Sequence, residues 1–166
     1  MIVFDLDGTL ADMTHRAPMI AHRPRMDAAQ WDLFFAAAVN DTPIVPMVDL
    51  FAMLRPLTEL QIWTGRPERI RRATEDWLTE HLFLNRRWVS KSARTSSKYN
   101  PIVPNPWHIP LRMRPDADHR PDAELKQEWL AALAAPPTMV FEDRERVVDM
   151  WRRNGVVCAQ VAKGDY

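Results

Sequence analysis

Four acids, two threonines and an arginine stand at the ends of three short apolar runs, and they are the first residues in this sequence that could do chemistry. The run Ile2-Val3-Phe4 leads into Asp5, Asp7 and Thr9, with Gly8 between them. Residues 59 to 64 lead into Thr64, Gly65 and Arg66, and residues 138 to 141 lead into Glu142 and Asp143. Any one of these acids alone reads as a solvated turn residue or a helix cap. As a set they do not. Clustered carboxylates repel one another and cost stability unless a cation joins them. An oxygen-only donor set built around a carboxylate pair suits Mg²⁺, which prefers octahedral oxygen coordination and keeps some of its water. The planar fork of Arg66 suits phosphate oxygens.

These residues can meet only if the three runs are strands of one sheet. Ile2 to Leu6 is short and apolar, carries β-branched and aromatic residues, and is cut by turn chemistry at Asp7-Gly8, which predicts a buried strand. Residues 12 to 27, with three arginines, two histidines and two prolines, read as an irregular excursion. Asp27 is placed to cap a helix over about 28 to 39, whose Trp31, Phe34, Phe35 and Ala38 fall at helical spacing. Met47, Leu50, Phe51 and Leu54 predict a core-facing helix ended by Pro56. The second strand, 59 to 64, is expected to stop at Gly65. Pro67 then opens a helix to about His81 with Ile70, Ala73 and Trp77 on one face. Residues 85 to 106 read as a loop, and Trp107 to Met113 as a strand weakened by Pro110, which argues for an edge or a bulge. A helix from Pro121 to about Leu133, a strand over 138 to 141, a helix over 144 to 153 stopped at Asn154-Gly155, and a strand over 156 to 161 complete the chain.

Strands alternating with helices imply an α/β fold with a mostly parallel sheet covered on both faces. Ligands of such sheets bind beyond the carboxyl ends of the strands, where these polar residues stand. The 166 residues suit one domain, 1–166, with 12–42 as a small cap or substrate-loop insertion.

Composition narrows the function classes. Hydrophobic residues are 46% and charged residues 27%, ordinary for a globular protein and against bulk disorder. No apolar run reaches the roughly 18 residues of a membrane span. The start, Met-Ile-Val-Phe-Asp, has no basic leader, so no secretory signal is expected. A single cysteine, Cys158, argues against a disulfide framework or a multi-cysteine zinc site and for a reducing, cytoplasmic setting. It falls in a predicted buried strand, where it is expected to be inert. His15, His22, His81, His108 and His119 show no metal spacing. Acidic and basic residues balance at 22 each, so the chain is not a bulk nucleic-acid coater, although 18 of the basic residues are Arg and a local basic cleft is open to it. Trp31, Phe34 and Phe35 have a geometry suited to stacking on bases, but helical spacing reads them first as core.

Asp5-Leu6-Asp7-Gly8-Thr9 after an N-terminal strand resembles the first motif of the haloacid dehalogenase superfamily of phosphotransferases. Thr64-Gly65-Arg66 resembles the second motif, Lys126 the third, and Glu142-Asp143 the fourth, all in the family's order. The stretches Phe141 to Arg144 and Val147 to Tyr166, with the Thr64-Gly65-Arg66 and Arg120-Pro121-Asp122 to Lys126 blocks, are similar to the 3′-phosphatase domain of bacteriophage polynucleotide kinase. These 166 residues contain no Gly-rich loop ending in Gly-Lys-Ser or Gly-Lys-Thr, so the resemblance is to the phosphatase module without its kinase half.

The resemblance implies a Rossmann-like core and a Mg²⁺-dependent phosphomonoesterase. Asp5 would attack phosphorus and form an aspartyl-phosphate. Asp7 would protonate the leaving oxygen and later take a proton from water. Asp5, the Asp7 carbonyl and Asp143 would hold the metal. Thr64 and Lys126 would contact the phosphoryl group or offset its charge. Thr9, Gly65 and Arg66 complete the expected substrate contacts. Lys91 and Lys98 compete with Lys126 for the third motif, and Lys126 is favoured by its helix before the acidic pair. The family's acidic pair is usually Asp-Asp; here Glu142 replaces the first member and is assigned an indirect role behind Asp143.

The expected substrate is a 3′-phosphorylated DNA or RNA end, with a separate kinase or ligase as a working partner. A nucleotidase for free nucleoside monophosphates is the alternative, and a non-catalytic adaptor a third reading. The location would be the cytoplasm, that of the host if the chain is phage-encoded. Residues 12 to 42 decide between the first two: a closing lid suits a mononucleotide, and an open groove lined by Arg16, Arg23 and Arg25 suits a strand end.

Overall fold

A computed structural model describes residues 1–21, 26–83 and 109–164. The elements, numbered in chain order, are β1 (Ile2–Phe4), β2 (Ala11–Asp12), α1 (Ala28–Ala36), β3 (Thr42–Pro43), α2 (Val45–Leu54), β4 (Leu60–Pro67), α3 (Arg71–Leu78), β5 (Leu111–Arg114), α4 (Asp122–Ala131), β6 (Met139–Glu142), α5 (Glu145–Arg153) and β7 (Cys158–Gln160). Lys91, Lys98, Arg23, Arg25, His22, His108, the 85–106 loop and the start of the strand expected at Trp107 lie outside the described residues.

Five strands pair in the order β5-β4-β1-β6-β7, every pair parallel, as the alternation of strands and helices predicts. The central strand is β1, with Ile2 opposite both Leu60 and Met139. From β1 the chain builds outward through β4 to β5, then returns to the other side for β6 and β7. The order therefore reverses at β1, which opens a crevice beyond its carboxyl end.

Alternation along each strand supplies two cores. Phe4, Ile62 and Phe141 point to one face and pack with Phe51 of α2 and Trp77 of α3. Val3, Trp63 and Val140 point to the other and pack with Trp129 of α4 and Trp151 of α5. Successive side chains of a strand face opposite ways, so a strand buried on both faces must read as a continuous apolar run.

Local signals act as expected at several ends. Asp27 accepts from the Gln30 amide at 2.8 Å while Gln30 Oε1 accepts from the Asp27 amide at 3.0 Å, a complete capping box. Helix α5 ends at Gly155, whose φ of +75° provides the left-handed turn that closes it. β5 is an edge strand, as Pro110 predicts. One boundary differs: β4 does not stop at Gly65 but continues to Pro67, with a register shift against β5 between Trp63 and Pro67. Gly65 serves close approach instead, since a Cβ there would lie 2.7 Å from Asp122 Oδ1.

The excursion after β1 closes on itself. β2 and β3 pair antiparallel, Ala11 with Pro43 and Asp12 with Thr42, so both ends of the 12–42 segment leave the core at one point.

Candidate active site

The carboxyl ends of β1, β4 and β6 bring the motif residues together. Asp5 follows β1, its amide donating to the Phe141 carbonyl at 2.9 Å, and it is 6% exposed. Glu142 ends β6 and Asp143 follows it, both buried. A carboxylate oxygen from each of Asp5, Glu142 and Asp143 lies within 4.8 Å of the others. Lys126 reaches them from α4: its Nζ donates to Asp5 Oδ1 at 2.5 Å and to Glu142 Oε2 at 2.7 Å. Burial disfavours the ammonium, but the charges of Asp5 and Glu142 outweigh it and hold Lys126 protonated.

Three buried acids against one ammonium leave an excess of negative charge. Burial, then the charge of Glu142, pushes the Asp5 carboxyl up to about 8 against the pull of Lys126. Burial likewise raises Glu142. A donor set of three carboxylates, oxygen only, fits a hard divalent cation. Gly164 matters to this cluster: any Cβ there would collide with Asp143, so only glycine lets the chain pass so close. The Gly164 amide and Gln160 Nε2 both donate to the Asp143 carbonyl, at 3.1 and 2.9 Å, which holds that residue at the strand end.

Asp7 sits in a different electrostatic setting. Gly8, at φ +82°, turns the chain sharply after it. Arg66 Nε and Nη2 donate to Asp7 at 3.0 and 2.6 Å, and Arg16 Nη2 donates at 2.7 Å. Burial would raise this carboxyl, but Arg66 and then Arg16 outweigh it and bring it down to about 2. The same two guanidiniums converge on Asp41, which is fully buried on its side chain. Two acids and two arginines thus alternate around a closed ring of ion pairs.

This ring changes two expectations. Arg16 does not line an open groove: it is fully buried, and Phe34 of α1 lies over its guanidinium at 4.4 Å. Arg66 is 1% exposed, spent on Asp7 and Asp41, and does not line the cavity. Thr64 is buried, and its hydroxyl accepts from the Arg66 amide at 3.2 Å. Thr9 is also buried, and its hydroxyl has no hydrogen-bond partner among the described residues. Gly65 lines the cavity beside Asp122.

Asp122 is the hub of a further cluster. Arg114 and Arg144 both donate to it, and the Arg114 Nε donates to the Gly65 carbonyl at 3.1 Å. Burial alone would raise the Asp122 carboxyl, yet Arg144, Lys126 and Arg114 lower it. A cavity of about 750 Å³ opens over Asp5, Asp7, Glu142 and Asp143, with Gly65 and Asp122 on one side and α1 on the other.

The family model for the polynucleotide kinase PNKP phosphatase domain matches residues 1–166. The chain belongs to this family. It is a phosphatase of the haloacid dehalogenase type. Two solved structures of Pnkp1/Rnl/Hen1 complexes, one titled as an RNA repair complex, contain chains similar to it. Identity is 24% and 25%, with a TM-score of 0.69 and 99% of this chain covered in both. The chain spans 43% and 46% of those proteins' lengths, less than half. A haloacid dehalogenase-like hydrolase from Streptococcus pneumoniae shares the fold at 14% identity, TM-score 0.55, over 98% of this chain and 86% of that one. Phosphatases of this family are generally metal dependent, in keeping with the buried acidic cluster.

Asp41, Arg114, Asp122 and Arg144 went unassigned in the sequence. Asp122 carried a signal, standing one helical turn before Lys126 and so on the same face of α4. Asp41 carried none, since a lone Asp before Thr-Pro looks like any turn residue.

Proposed function

We propose that this phosphatase domain removes 3′-phosphates from DNA or RNA ends through an aspartyl-phosphate on Asp5. The observation that carries the reading is Asp5 itself. It is a carboxylate at the carboxyl end of the central strand, on the wall of the cavity, with Lys126 at 2.5 Å and two further acids beside it.

Asp5, Asp143 and the backbone carbonyl of Asp7 would hold Mg²⁺, with Glu142 behind them bonded to Lys126. Bound there, the ion would supply positive charge that keeps Asp5 ionised and offsets the charge of the incoming phosphate. An Asp5 oxygen attacks phosphorus as the bond to the 3′ oxygen breaks. Asp7 gives its proton to that leaving oxygen. Water then attacks the aspartyl-phosphate, its proton passes to Asp7, and inorganic phosphate departs. In the free protein Asp7 is ionised by Arg66 and Arg16. An anionic phosphate arriving beside it would raise its pKa, in the direction of the acid form that the first step needs. In this reading Arg16 and Arg66 orient Asp7, and Arg66 acts on the phosphate through it. Lys126 holds the nucleophile in position and offsets charge. Thr64, Thr9 and Gly65 shape the turns that face the phosphoryl group.

A nucleotidase acting on free nucleoside monophosphates is the second reading. The burial of Arg16 favours it, because that residue is not on offer to a strand's backbone. We take residues 1–166 as one working domain with 12–42 as its cap. In the end-healing reading a separate ligase uses the 3′-hydroxyl left behind, or a separate kinase phosphorylates the opposing 5′ end, and the setting is cytoplasmic. Among the described residues no helix is long and apolar enough to cross a membrane.

The test is phosphate release with Mg²⁺ from a 3′-phosphorylated oligonucleotide and from 3′- and 5′-mononucleotides at equal concentration. Faster release from the oligonucleotide, abolished by Asp5→Asn, is the expected result. Release from mononucleotides alone selects the nucleotidase. Full activity of Asp5→Asn removes the assigned nucleophile.

A further inference from the structure

The cavity over Asp5 has a second wall that phosphate chemistry does not need. Trp31 and Phe35, one turn apart on α1, stack with their rings 5.6 Å apart and 20° from parallel. Both line the same cavity as Asp5 and Asp7, and Met13, Ile20 and Met26 extend the apolar wall.

The helix divides its aromatic residues by direction. Phe34 turns inward, 4% exposed, and covers Arg16. Trp31 is 38% exposed, while the other described tryptophans, Trp63, Trp77, Trp129 and Trp151, are buried. Helical spacing predicted core for all three aromatic residues; only Phe34 obeys. Keeping an indole at a cavity wall in contact with water forgoes hydrophobic stabilisation that a turn inward would give. Arg69 continues the stack, its guanidinium 5.5 Å from the Phe35 ring centroid. The cavity is also larger than a phosphoryl group requires: about 750 Å³ falls among sites that take whole small molecules.

A flat, exposed indole backed by a half-buried second ring, beside a phosphate-processing carboxylate, matches one feature of a nucleoside phosphate, the π-face of its base. Stacking accepts any base, because every base has such a face. We propose that Trp31, backed by the Phe35 ring and Arg69, forms a stacking shelf for the nucleobase of the nucleotide whose phosphate sits at Asp5. The shelf rests on the reading of the substrate as a nucleoside phosphate ester, and it gives the cap helix a role in substrate binding.

The test compares wild type, Trp31→Ala and Trp31→Phe on four substrates by steady-state kinetics. These are a 3′-phosphorylated oligonucleotide, the same oligonucleotide with an abasic terminal sugar, a 3′-mononucleotide and glycerol phosphate. Wild type is expected to favour the base-bearing oligonucleotide over the abasic one by about tenfold in kcat/KM. Trp31→Ala erases that preference through KM and leaves glycerol phosphate hydrolysis unchanged, which also shows that the variant is folded. Trp31→Phe keeps most of the preference. An equal loss on the mononucleotide means the shelf reads a base from either source, and a loss on the oligonucleotide alone assigns it to strand ends. Equal rates of wild type on base-bearing and abasic ends overturn the shelf while leaving the phosphatase reading intact, as does a Trp31→Ala loss common to all substrates. Hydrolysis of glycerol phosphate with none of the nucleotide substrates overturns the substrate reading, and the shelf with it.

Discussion

Arg16 grips both carboxylate oxygens of Asp41, Nε to Oδ1 at 2.8 Å and Nη2 to Oδ2 at 2.6 Å, and neither side chain is exposed. The two residues lie near the ends of the 12–42 segment, one soon after β2 and the other just before β3. The pair therefore fastens the two ends of that segment together while the second guanidinium, Arg66, ties them to β4. Replacing Asp41 by Ala would leave two buried guanidiniums sharing Asp7 alone. Breaking a buried pair this way costs about 3–5 kcal/mol, so the urea midpoint of Asp41→Ala should fall steeply. A loss below about 1 kcal/mol would show that water or local relaxation replaces the carboxylate.

Lys126 should matter to stability as well as to activity. Lys126→Met removes the cation between Asp5 and Glu142 while roughly keeping the side chain's volume. Two adjacent buried acids would then have to take up a proton or repel, and a cost of about 3 kcal/mol is expected. Added Mg²⁺ should restore part of that loss. Denaturation curves with and without the ion would check it, and a variant as stable as wild type in chelator would contradict it.

Metal binding itself is readable without turnover. A ligand that binds only the folded state stabilises it by about 2.7 kcal/mol at one hundred times its dissociation constant. Mg²⁺ should therefore raise the melting temperature in proportion to the logarithm of its concentration, and Asp143→Asn should weaken the effect. An unchanged melting temperature up to millimolar Mg²⁺ would argue against a divalent site at this cluster.

The two glycines in which structure leaves different kinds of room should behave differently. A Cβ at Gly65 would press on Asp122 Oδ1 at 2.7 Å and disturb its contacts with Arg114 and Arg144. Gly65→Ala should cost about 1–3 kcal/mol and reduce phosphate release. A Cβ at Gly155 meets nothing within 4 Å, but the φ of +75° strains any side chain. Gly155→Ala should lose about 1 kcal/mol with activity unchanged. Equal activities in the two variants would remove the role given to the Gly65–Asp122 approach.

Cys158 supplies the pH prediction. It is 7% exposed, and burial, with the charge of Glu142, pushes its thiol up to about 12 from an ordinary 9.0. A raised pKa favours the neutral thiol in the folded state, so this contribution to stability is complete below about pH 9 and is lost as pH rises toward 12. In the native protein the thiol should resist a disulfide reagent at pH 8 and react quickly once urea unfolds the chain. Fast reaction of the native protein would mean that β7 opens readily.

Much of the scaffold was legible because its signals are local. The parallel sheet, the cap at Asp27, the stop at Gly155 and the edge strand at Pro110 each depend on a few neighbouring residues. So does the placement of Asp5 and Glu142 at strand ends, since an apolar run cut by turn chemistry announces where a strand stops; β4 is the exception, running three residues past Thr64 to Pro67. The misjudged features are ones that local pattern cannot decide. Trp31 and Phe34 share a helix and an apolar character, yet one is exposed at the cavity wall and the other is buried against a guanidinium. Arg16 looked like a groove residue because an unpartnered Arg belongs in water, and its partner stands 25 residues away.

The sequence alone therefore determined the alternation of elements, the ends at which polar residues stand, and the chemistry those residue types allow. Tertiary structure decided which charges neutralise which: Lys126 with Asp5 across 121 residues, Arg66 with Asp7 across 59, and Arg16 with Asp41 inside the cap. The reason is that secondary structure follows from steric and hydrophobic preferences between near neighbours. The protonation of a buried carboxylate follows from charges within a few ångströms, whose positions are known only once the strands have been brought side by side.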